Sequence, residues 1–346
     1  MFQITRGDVA AILRDYNIAA EILDISELQR YHYERDDPET KEVRLIIKVE
    51  VAGGSPLVVR FKNESDVTLE LIESQCRFAD TLKRNGIITP AQHMSGGRYA
   101  RWYTIGGYEV VVTLEQFAEG EIKVVDEGIA RKTGELLAKT HTIAEENNLH
   151  VDNDVLFDPF ARNDLFFVDK FLSLEGSLQG ESRALFDRIT GKYNAYMAAL
   201  APLKEYPRYA VQGDISDCNL YQTPQGELGI FDFNRSGDNI LFCDAVMQAV
   251  FEARLMDYPE NSGDDYPAKI LASFLEGYCS VRSFSPEERE WFACLYPIID
   301  AFWGMDICWR EDSLLNTHQA GDAAGVQRWL EIIWKRLAGL AEPGKV

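Results

Sequence analysis

Two strand-like runs are separated by only four residues: Val43-Arg44-Leu45-Ile46-Ile47-Lys48-Val49-Glu50-Val51, which partly alternates, and Pro56-Leu57-Val58-Val59-Arg60-Phe61, which is rich in β-branched residues. The joining Ala52-Gly53-Gly54-Ser55 is short, and Gly-Gly supplies the positive φ that a tight hairpin requires, so the early part of the chain is expected to build a β-hairpin. A helix is expected over 5–16, with Thr5 or Asp8 as N-cap, and a second from about Glu64 to Asn85. In the second helix Ile72, Cys76, Ala79 and Lys83 lie near one stripe and Gly86 stands where a C′ glycine ends a helix. Tyr108-Glu109-Val110-Val111-Val112-Thr113-Leu114 reads as a buried strand.

After Gly120 the pattern changes. Gly128 to Glu146 is helical, with Leu136, Leu137, Thr140, His141 and Ala144 at spacings of three and four. Further helices are expected near 180–200, 244–257, 267–282, 286–311 and 322–341, with a brief β interruption near 209–233. Strands with one helix, then mostly helices, predict an α+β chain. Its small β-rich N-terminal lobe covers 1–117 and its larger, mostly helical C-terminal lobe covers 118–346. A length of 346 residues suits two such bodies.

Composition removes several classes of function. With 56 Asp and Glu against 35 Lys and Arg, the formal net charge is −21. Nucleic-acid binding rests on neutralising phosphates with cations, so no nucleic-acid partner is expected. The acidity serves solubility in its plainest reading and attraction of a cationic substrate in its sharper one. No run approaches the roughly 18 apolar residues of a membrane span, and the N-terminus has no basic-then-apolar leader. The six cysteines are scattered without a C-x-x-C pair. They are read as reduced thiols of a cytoplasmic protein with no membrane partner.

The stretch that carries chemistry is Gln212-Gly213-Asp214-Ile215-Ser216-Asp217-Cys218-Asn219, followed by Ile230-Phe231-Asp232-Phe233-Asn234. An Asp five positions before an Asn on one tight loop can turn both side chains to one pocket, and a second Asp after a short hairpin can face them. Gly213 allows the turn before Asp214, and Thr223-Pro224-Gln225-Gly226 supplies the hairpin turn. Phosphoryl transfer needs such a set: a carboxylate to orient a hydroxyl and take its proton, and oxygen ligands for Mg²⁺.

These segments resemble the H-G-D-x-H-x-x-N loop and the I-D-F-G segment of the aminoglycoside phosphotransferase and choline kinase family. The resemblance implies a two-lobed protein-kinase-like fold, with Asp214 as catalytic base, Asn219 and Asp232 as Mg²⁺ ligands, and ATP or GTP as phosphoryl donor. It extends along most of the chain. Leu57-Val58-Val59-Arg60 is similar to the strand that carries the phosphate-binding cation, here Arg60. Glu73 or Gln75 stands where the next helix would offer that cation a partner, and Glu73 is preferred because only it can form an ion pair. Thr113-Leu114-Glu115-Gln116-Phe117-Ala118-Glu119-Gly120 resembles the hinge that holds adenine, which brings Gln116, Phe117 and Ala118 to the nucleotide. Leu136-Leu137-Ala138-Lys139-Thr140-His141 and Phe274-Leu275-Glu276-Gly277-Tyr278 resemble two helical motifs of the family.

The sequence also departs from the family pattern. Gln212 and Ser216 replace two usual histidines, and Asn234 replaces a usual glycine, a residue that tolerates left-handed backbone. The loop Arg35-Asp36-Asp37-Pro38-Glu39-Thr40-Lys41-Glu42 is acidic where phosphates would be covered.

Outside the motifs, His141 on its apolar stripe is read as structural and Asp244 as a helix N-cap. Trp303, Asp306 and Trp309, in the run from Ile299 to Arg310, are the candidate contacts for a substrate ammonium. An aromatic stripe on a helix is nonetheless more commonly core. The expected activity is transfer of a γ-phosphoryl group to a hydroxyl of a small acceptor, such as an aminoglycoside, choline or ethanolamine, homoserine or a sugar. The competing expectation is a kinase-like protein that binds nucleotide and transfers slowly.

Overall fold

The computed structural model describes residues 1–33, 39–65, 67–161, 165–215, 219–263 and 265–338. Ser216, Asp217 and Cys218 of the catalytic-type loop lie outside the described residues, as do Arg35–Pro38 of the acidic loop. The chain divides into two compact units. The first takes Met1–Glu121 with Leu149–Asn153 and Asn219–Asn234, and the second takes Ile122–Asn148, Asp154–Cys218 and the chain from Arg235 on.

The first unit begins with α1 (Arg6–Asp15), where Thr5 and Asp8 form a reciprocal capping box. Strands β1 (Ile22–Arg30), β2 (Val43–Val51) and β3 (Leu57–Asn63) follow, then α2 (Leu69–Arg84), β4 (Arg101–Ile105) and β5 (Tyr108–Gln116). The five strands form one sheet in the order β1-β2-β3-β5-β4, antiparallel at every pairing. The hairpin expected from the glycine-rich connection is β2–β3, and Gly53 has the positive φ of 70°. Helix α2 starts five residues later than expected because Thr68 caps it, its hydroxyl accepting from the Leu71 amide. It ends as expected. Gly86 has φ +93°, its amide reaches the Lys83 carbonyl, and the Ile87 amide reaches that of Leu82, the paired bonds of a Schellman motif.

One face of this sheet is apolar and closed by α1. Leu45, Ile47, Val59, Phe61, Val112 and Leu114 are all buried against Val9, Ile12 and Leu13. Each such side chain contributes roughly 1.5–3 kcal/mol on leaving water. The alternate positions of the same strands are left for another purpose.

The second unit is mostly helical: α3 (Glu127–Glu146), α4 (Val168–Leu172), α5 (Gly180–Leu200) and strand β6 (Tyr209–Val211). The chain then enters the first unit as a hairpin of β7 (Leu220–Gln222) and β8 (Leu228–Ile230), with Gly226 at φ +80° in its turn. It returns through β9 (Gly237–Asn239), which pairs with β6, to α6 (Leu241–Leu255), α7 (Tyr266–Val281) and α8 (Pro286–Ala301). The helix expected over 286–311 stops at Ala301, and Met305–Trp309 is a π-helical turn. α9 (Leu314–Gln319) and α10 (Ala323–Leu337) complete the unit. Among the described residues no helix is long and apolar enough to cross a membrane.

Helices α3 and α7 approach through glycine. A Cβ on Gly277 would stand 1.9 Å from the Arg131 carbonyl oxygen, and one on Gly134 2.0 Å from that of Phe274. Neither backbone can yield without moving its helix. Gly277→Ala is therefore expected to cost at least roughly 2–3 kcal/mol in chemical denaturation. Unchanged stability would show that the two helices do not approach this closely.

Candidate functional site

Strand register decides which side chains share a face of the sheet. Arg44 pairs with Lys62, Lys48 with Val58, and Ile46 with Arg60, while on the other side Arg60 pairs with Thr113 and Val58 with Glu115. Paired residues point the same way, so Arg44, Lys48, Arg60 and Lys62 all lie on the face opposite the apolar core. The same alternation puts Glu50 and Glu115 on this face, with Lys48 ion-paired to Glu50 at 3.1 Å, so cations and carboxylates share it.

Within this unit, Gln75 and Cys76 of α2, Arg60 and Lys62 of β3, Glu115 of β5 and Asp232 enclose part of a cavity of about 40 Å³. That is room for an ion or a few waters, not for a whole small-molecule ligand. Arg60 is its hub. Its Nε and Nη2 donate to Glu115 Oε1 at 3.1 and 2.8 Å, and its Nη1 donates to Asp232 Oδ2 at 3.3 Å. Burial alone would lower the pKa of this guanidinium, but the charges of Asp232 and Glu115 outweigh it and raise the pKa above its ordinary value.

Asp232 follows β8 with φ +54°, a left-handed conformation that few residues other than glycine adopt. The sequence suggested Asn234 for such geometry, and the structure gives it to Asp232. The Asn234 amide donates to Asp232 Oδ1 at 3.4 Å. Burial would raise the Asp232 pKa, yet Arg60, then Lys62 and Arg44, and the Asn234 amide hold it below the ordinary carboxylate value. Asn219 is buried at the other side of the same hairpin. Leu220 pairs with Ile230, and the Phe231 amide donates to the Asn219 carbonyl at 3.0 Å, so Asn219 lies diagonal to Asp232.

The expected partner of Arg60 on α2 requires correction. Glu73 does not pair with Arg60. Its Oε2 accepts the backbone amides of Tyr99 and Ala100, both at 2.9 Å. The α2 residue facing the cavity is Gln75, whose Nε2 donates to the Asn234 carbonyl at 2.9 Å. Glu115 takes the ion-pair role instead. The signal for it lay in the alternation Val111, Thr113, Glu115, which puts a carboxylate on the same face as Arg60 in a strand otherwise rich in valine.

Lys62 is the second cation of the cavity. It is 8% exposed, and among the described residues its ammonium has no hydrogen-bond or ion-pair partner. Burial lowers its pKa to about 8, more than Asp232 can restore, with Arg60 adding to the depression.

Of the hinge residues, Gln116 ends β5 and its amide donates to the Ala91 carbonyl, while the Phe117 amide donates to that of Pro56. The Lys48 ammonium sits 4.6 Å over the Phe117 ring. Ala118 forms no hydrogen bond among the described residues.

Asp214 belongs to the second unit. β6 delivers it through Gly213, at φ +81°, where a Cβ would meet the Arg235 carbonyl oxygen at 2.9 Å. Two amide side chains hold the peptides around it. The Asp214 amide donates to Gln212 Oε1 at 2.8 Å, and the Ile215 amide donates to Gln248 Oε1 at 3.1 Å. Behind Gln248 lies a buried polar chain. Its Nε2 donates to Asp244 Oδ1 at 3.3 Å, Asp244 Oδ2 lies 3.0 Å from His141 Nε2, and His141 Nδ1 lies 2.9 Å from the Tyr278 hydroxyl. His141 is thus internal to the fold. Asp244 is not an N-cap: α6 begins three residues earlier, and the carboxylate is spent on His141 and Gln248.

The proposed ammonium site also requires correction. Asp306 is buried and accepts from Arg254 Nη2 at 2.5 Å, Arg336 Nη1 at 2.6 Å and Arg310 Nη1 at 3.4 Å. Three guanidiniums leave no unmet negative charge for a substrate ammonium. Trp303 is core, 2% exposed and edge-on to Phe251. Trp309 alone is exposed, at 46%, and its ring meets Phe167.

Among the described residues no three His, Cys, Asp or Glu side chains converge as a metal cage. One carboxylate and one amide, with the remaining positions left to phosphate oxygens and water, is a donor set that suits Mg²⁺.

No family model matches the chain, and no curated protein matches it in sequence. Solved structures do match its fold. A microcompartment-associated aminopropanol kinase is similar at TM-score 0.58 and 14% identity, over 98% of this chain and 99% of that one. An amicoumacin kinase in complex with AMP-PNP and Ca²⁺ is similar at TM-score 0.55 and 14% identity, over 95% and 96%. An aminoglycoside phosphotransferase from Alicyclobacillus acidocaldarius is similar at TM-score 0.55 and 12% identity, over 98% of each chain. The fold is that of the protein-kinase-like small-molecule kinases.

The lone ammonium of Lys62 makes a stability prediction. The folded chain holds its pKa near 8 against an ordinary 10.5, so the unfolded chain binds more protons in that window. Its destabilising contribution is therefore complete below pH 8 and relieved as the pH rises towards 10.5. Lys62→Met is expected to raise stability at pH 7 by on the order of 1–3 kcal/mol and to flatten the rise between pH 8 and 10.5. A variant less stable than wild type at pH 7 would show that the ammonium is paired.

Proposed function

We propose that this chain transfers the γ-phosphoryl group of ATP, or GTP, to a hydroxyl of a small molecule. The observation that carries the reading is Asp232: a carboxylate kept ionised, in left-handed backbone, against Arg60 of the sheet. Backbone strain of this kind persists where the surroundings enforce it, and functional sites are where it collects. The fold, shared with kinases of aminopropanol and amicoumacin, supports the same reading.

In this account Asp214 orients the acceptor hydroxyl and takes its proton, on a loop whose amides are fixed by Gln212 and Gln248. Asn219 and Asp232 hold Mg²⁺, which when bound offsets negative charge on the phosphate oxygens. Adenine lies along Gln116–Ala118. The Gln116 and Phe117 amides are already engaged, so the Ala118 amide is the donor left for the base. Amine-bearing alcohols, aminoglycosides, homoserine and sugars are the acceptor classes, aminopropanol itself being an amine-bearing alcohol. A cytoplasmic setting fits the free thiols of Cys76, Cys243, Cys279, Cys294 and Cys308.

One observation favours the alternative, a kinase-like protein that binds nucleotide and transfers slowly. Arg60 is held by two carboxylates of its own unit rather than by a helical glutamate, which restrains the cation expected to meet the phosphates.

Two variants separate the roles. Asp214→Asn keeps shape and loses the proton acceptor, so turnover should fall by about 10²–10⁴-fold with nucleotide affinity nearly constant. Asp232→Asn keeps a residue that tolerates left-handed backbone and should abolish the Mg²⁺ dependence of nucleotide binding. Full acceptor phosphorylation by Asp214→Asn would remove Asp214 from the base role. Tight nucleotide binding by wild type without transfer to any acceptor would favour the binding protein.

A further inference from the structure

We propose that Lys62, rather than Arg60, is the side chain that donates to the phosphate groups of the bound nucleotide, while Arg60 is the strut that holds Glu115 and Asp232. This rests on the nucleotide reading above and goes further in assigning the phosphate contact.

The two cations stand two positions apart on β3 and share the same face and cavity. Their commitments differ. Each of the three guanidinium nitrogens of Arg60 already faces a carboxylate oxygen, two of them the same Glu115 Oε1. Glu115 is itself fixed from the far side, its Oε2 accepting from Gln92 Nε2 at 2.6 Å. Swinging Arg60 towards a ligand would leave a buried carboxylate unpaired, a costly exchange. Lys62 carries three donors, and among the described residues none has a partner.

A buried, unpaired ammonium is destabilising, and a chain keeps such a group where a ligand completes it. The chemistry of that ligand follows from the charges lining the cavity. Arg60 and Lys62 balance Glu115 and Asp232, so the cavity is formally neutral by itself. A divalent cation at Asp232 would bring it to a net +2, which an anion must offset. A compact, strongly hydrated point charge on a flexible stem suits phosphate oxygens, and the planar fork of Arg60 suits the carboxylates it already holds.

The test uses the full chain with Mg²⁺ and two probes, AMP-PNP and adenosine, by calorimetric titration. Wild type is expected to bind AMP-PNP more tightly than adenosine. Lys62→Met and Lys62→Gln are expected to weaken AMP-PNP about 10- to 100-fold, the worth of a charge-assisted contact. Adenosine affinity should stay constant in both, and Lys62→Arg should recover most of the loss. The apo variants should melt no lower than wild type, which separates a lost ligand contact from a damaged fold.

AMP-PNP affinity unchanged in both neutral variants would overturn the assignment, as would equal losses for AMP-PNP and adenosine. Wild type binding both probes equally would overturn it while leaving the nucleotide reading in place. Wild type binding neither probe would overturn the nucleotide reading and this assignment with it.

Discussion

The first unit is organised around one largely buried guanidinium, its side chain 13% exposed. Arg60 on β3 reaches Glu115 on β5 and Asp232, which is 172 positions further along the chain. Removing one partner from a fully buried ion pair typically costs about 3–5 kcal/mol, because the other charge stays buried without compensation, and a part-buried set such as this one costs less. That constraint helps explain why residues 219–234 pack with the N-terminal sheet although the chain on either side belongs to the other unit. The segment is fixed at several further points. The Ile230 amide donates to the Ile88 carbonyl, Gln75 donates to the Asn234 carbonyl, and Phe233 meets Phe78 edge-on with ring centroids 5.7 Å apart. The backbone on either side of Asp232 is tied at the Phe231 amide and at the Asn234 amide and carbonyl, which supports its left-handed conformation.

The second unit meets a different constraint, since its polar chain has almost no access to water. Tyr278, His141, Asp244 and Gln248 come from α7, α3 and α6, and all are buried. A buried polar group without a partner costs about 1–3 kcal/mol, so this chain holds three helices in one arrangement or destabilises all three. It ends at the Ile215 amide, beside Asp214. The loop's neighbouring peptides are thereby tied to the helical core, with the Gln212 side chain supplying the other contact. Gln212, at one of the two positions where the family usually has histidine, accepts the Asp214 amide, and Gln248 from α6 accepts that of Ile215. Ser216, at the second of those positions, lies outside the described residues.

Much of this was legible in the sequence because it depends on local rules. The β2–β3 hairpin follows from two strand runs and a glycine-rich turn, and α2 ends at Gly86 because a left-handed C′ residue is cheapest as glycine. The face shared by Arg60 and Lys62 follows from the period of a strand. What was not legible depends on pairing between distant segments. Glu73 was the preferred partner of Arg60 by charge alone, but the rotation of α2 turns Gln75 to the cavity and Glu73 to the Tyr99 and Ala100 amides. Asp244 resembled a cap until the start of α6 was fixed, and Asp306 resembled an open carboxylate until Arg254 and Arg336 were brought to it from α6 and α10. A single helix over 286–311 would have put Trp303, Asp306 and Arg310 on one stripe; α8 instead ends at Ala301 before Trp303, while Asp306 and Arg310 still meet at 3.4 Å across the π-helical turn.

The central claim is phosphoryl transfer to a small hydroxyl acceptor, and ³¹P NMR of the reaction reads it most directly. Purified protein with ATP and Mg²⁺ is incubated with amino alcohols, aminoglycosides, homoserine and sugars in turn. For at least one acceptor class, a new phosphomonoester resonance is expected to grow in step with ADP as the γ-phosphate signal declines. An unchanged γ-phosphate signal with every acceptor, or release of inorganic phosphate alone at a rate no acceptor alters, would contradict it.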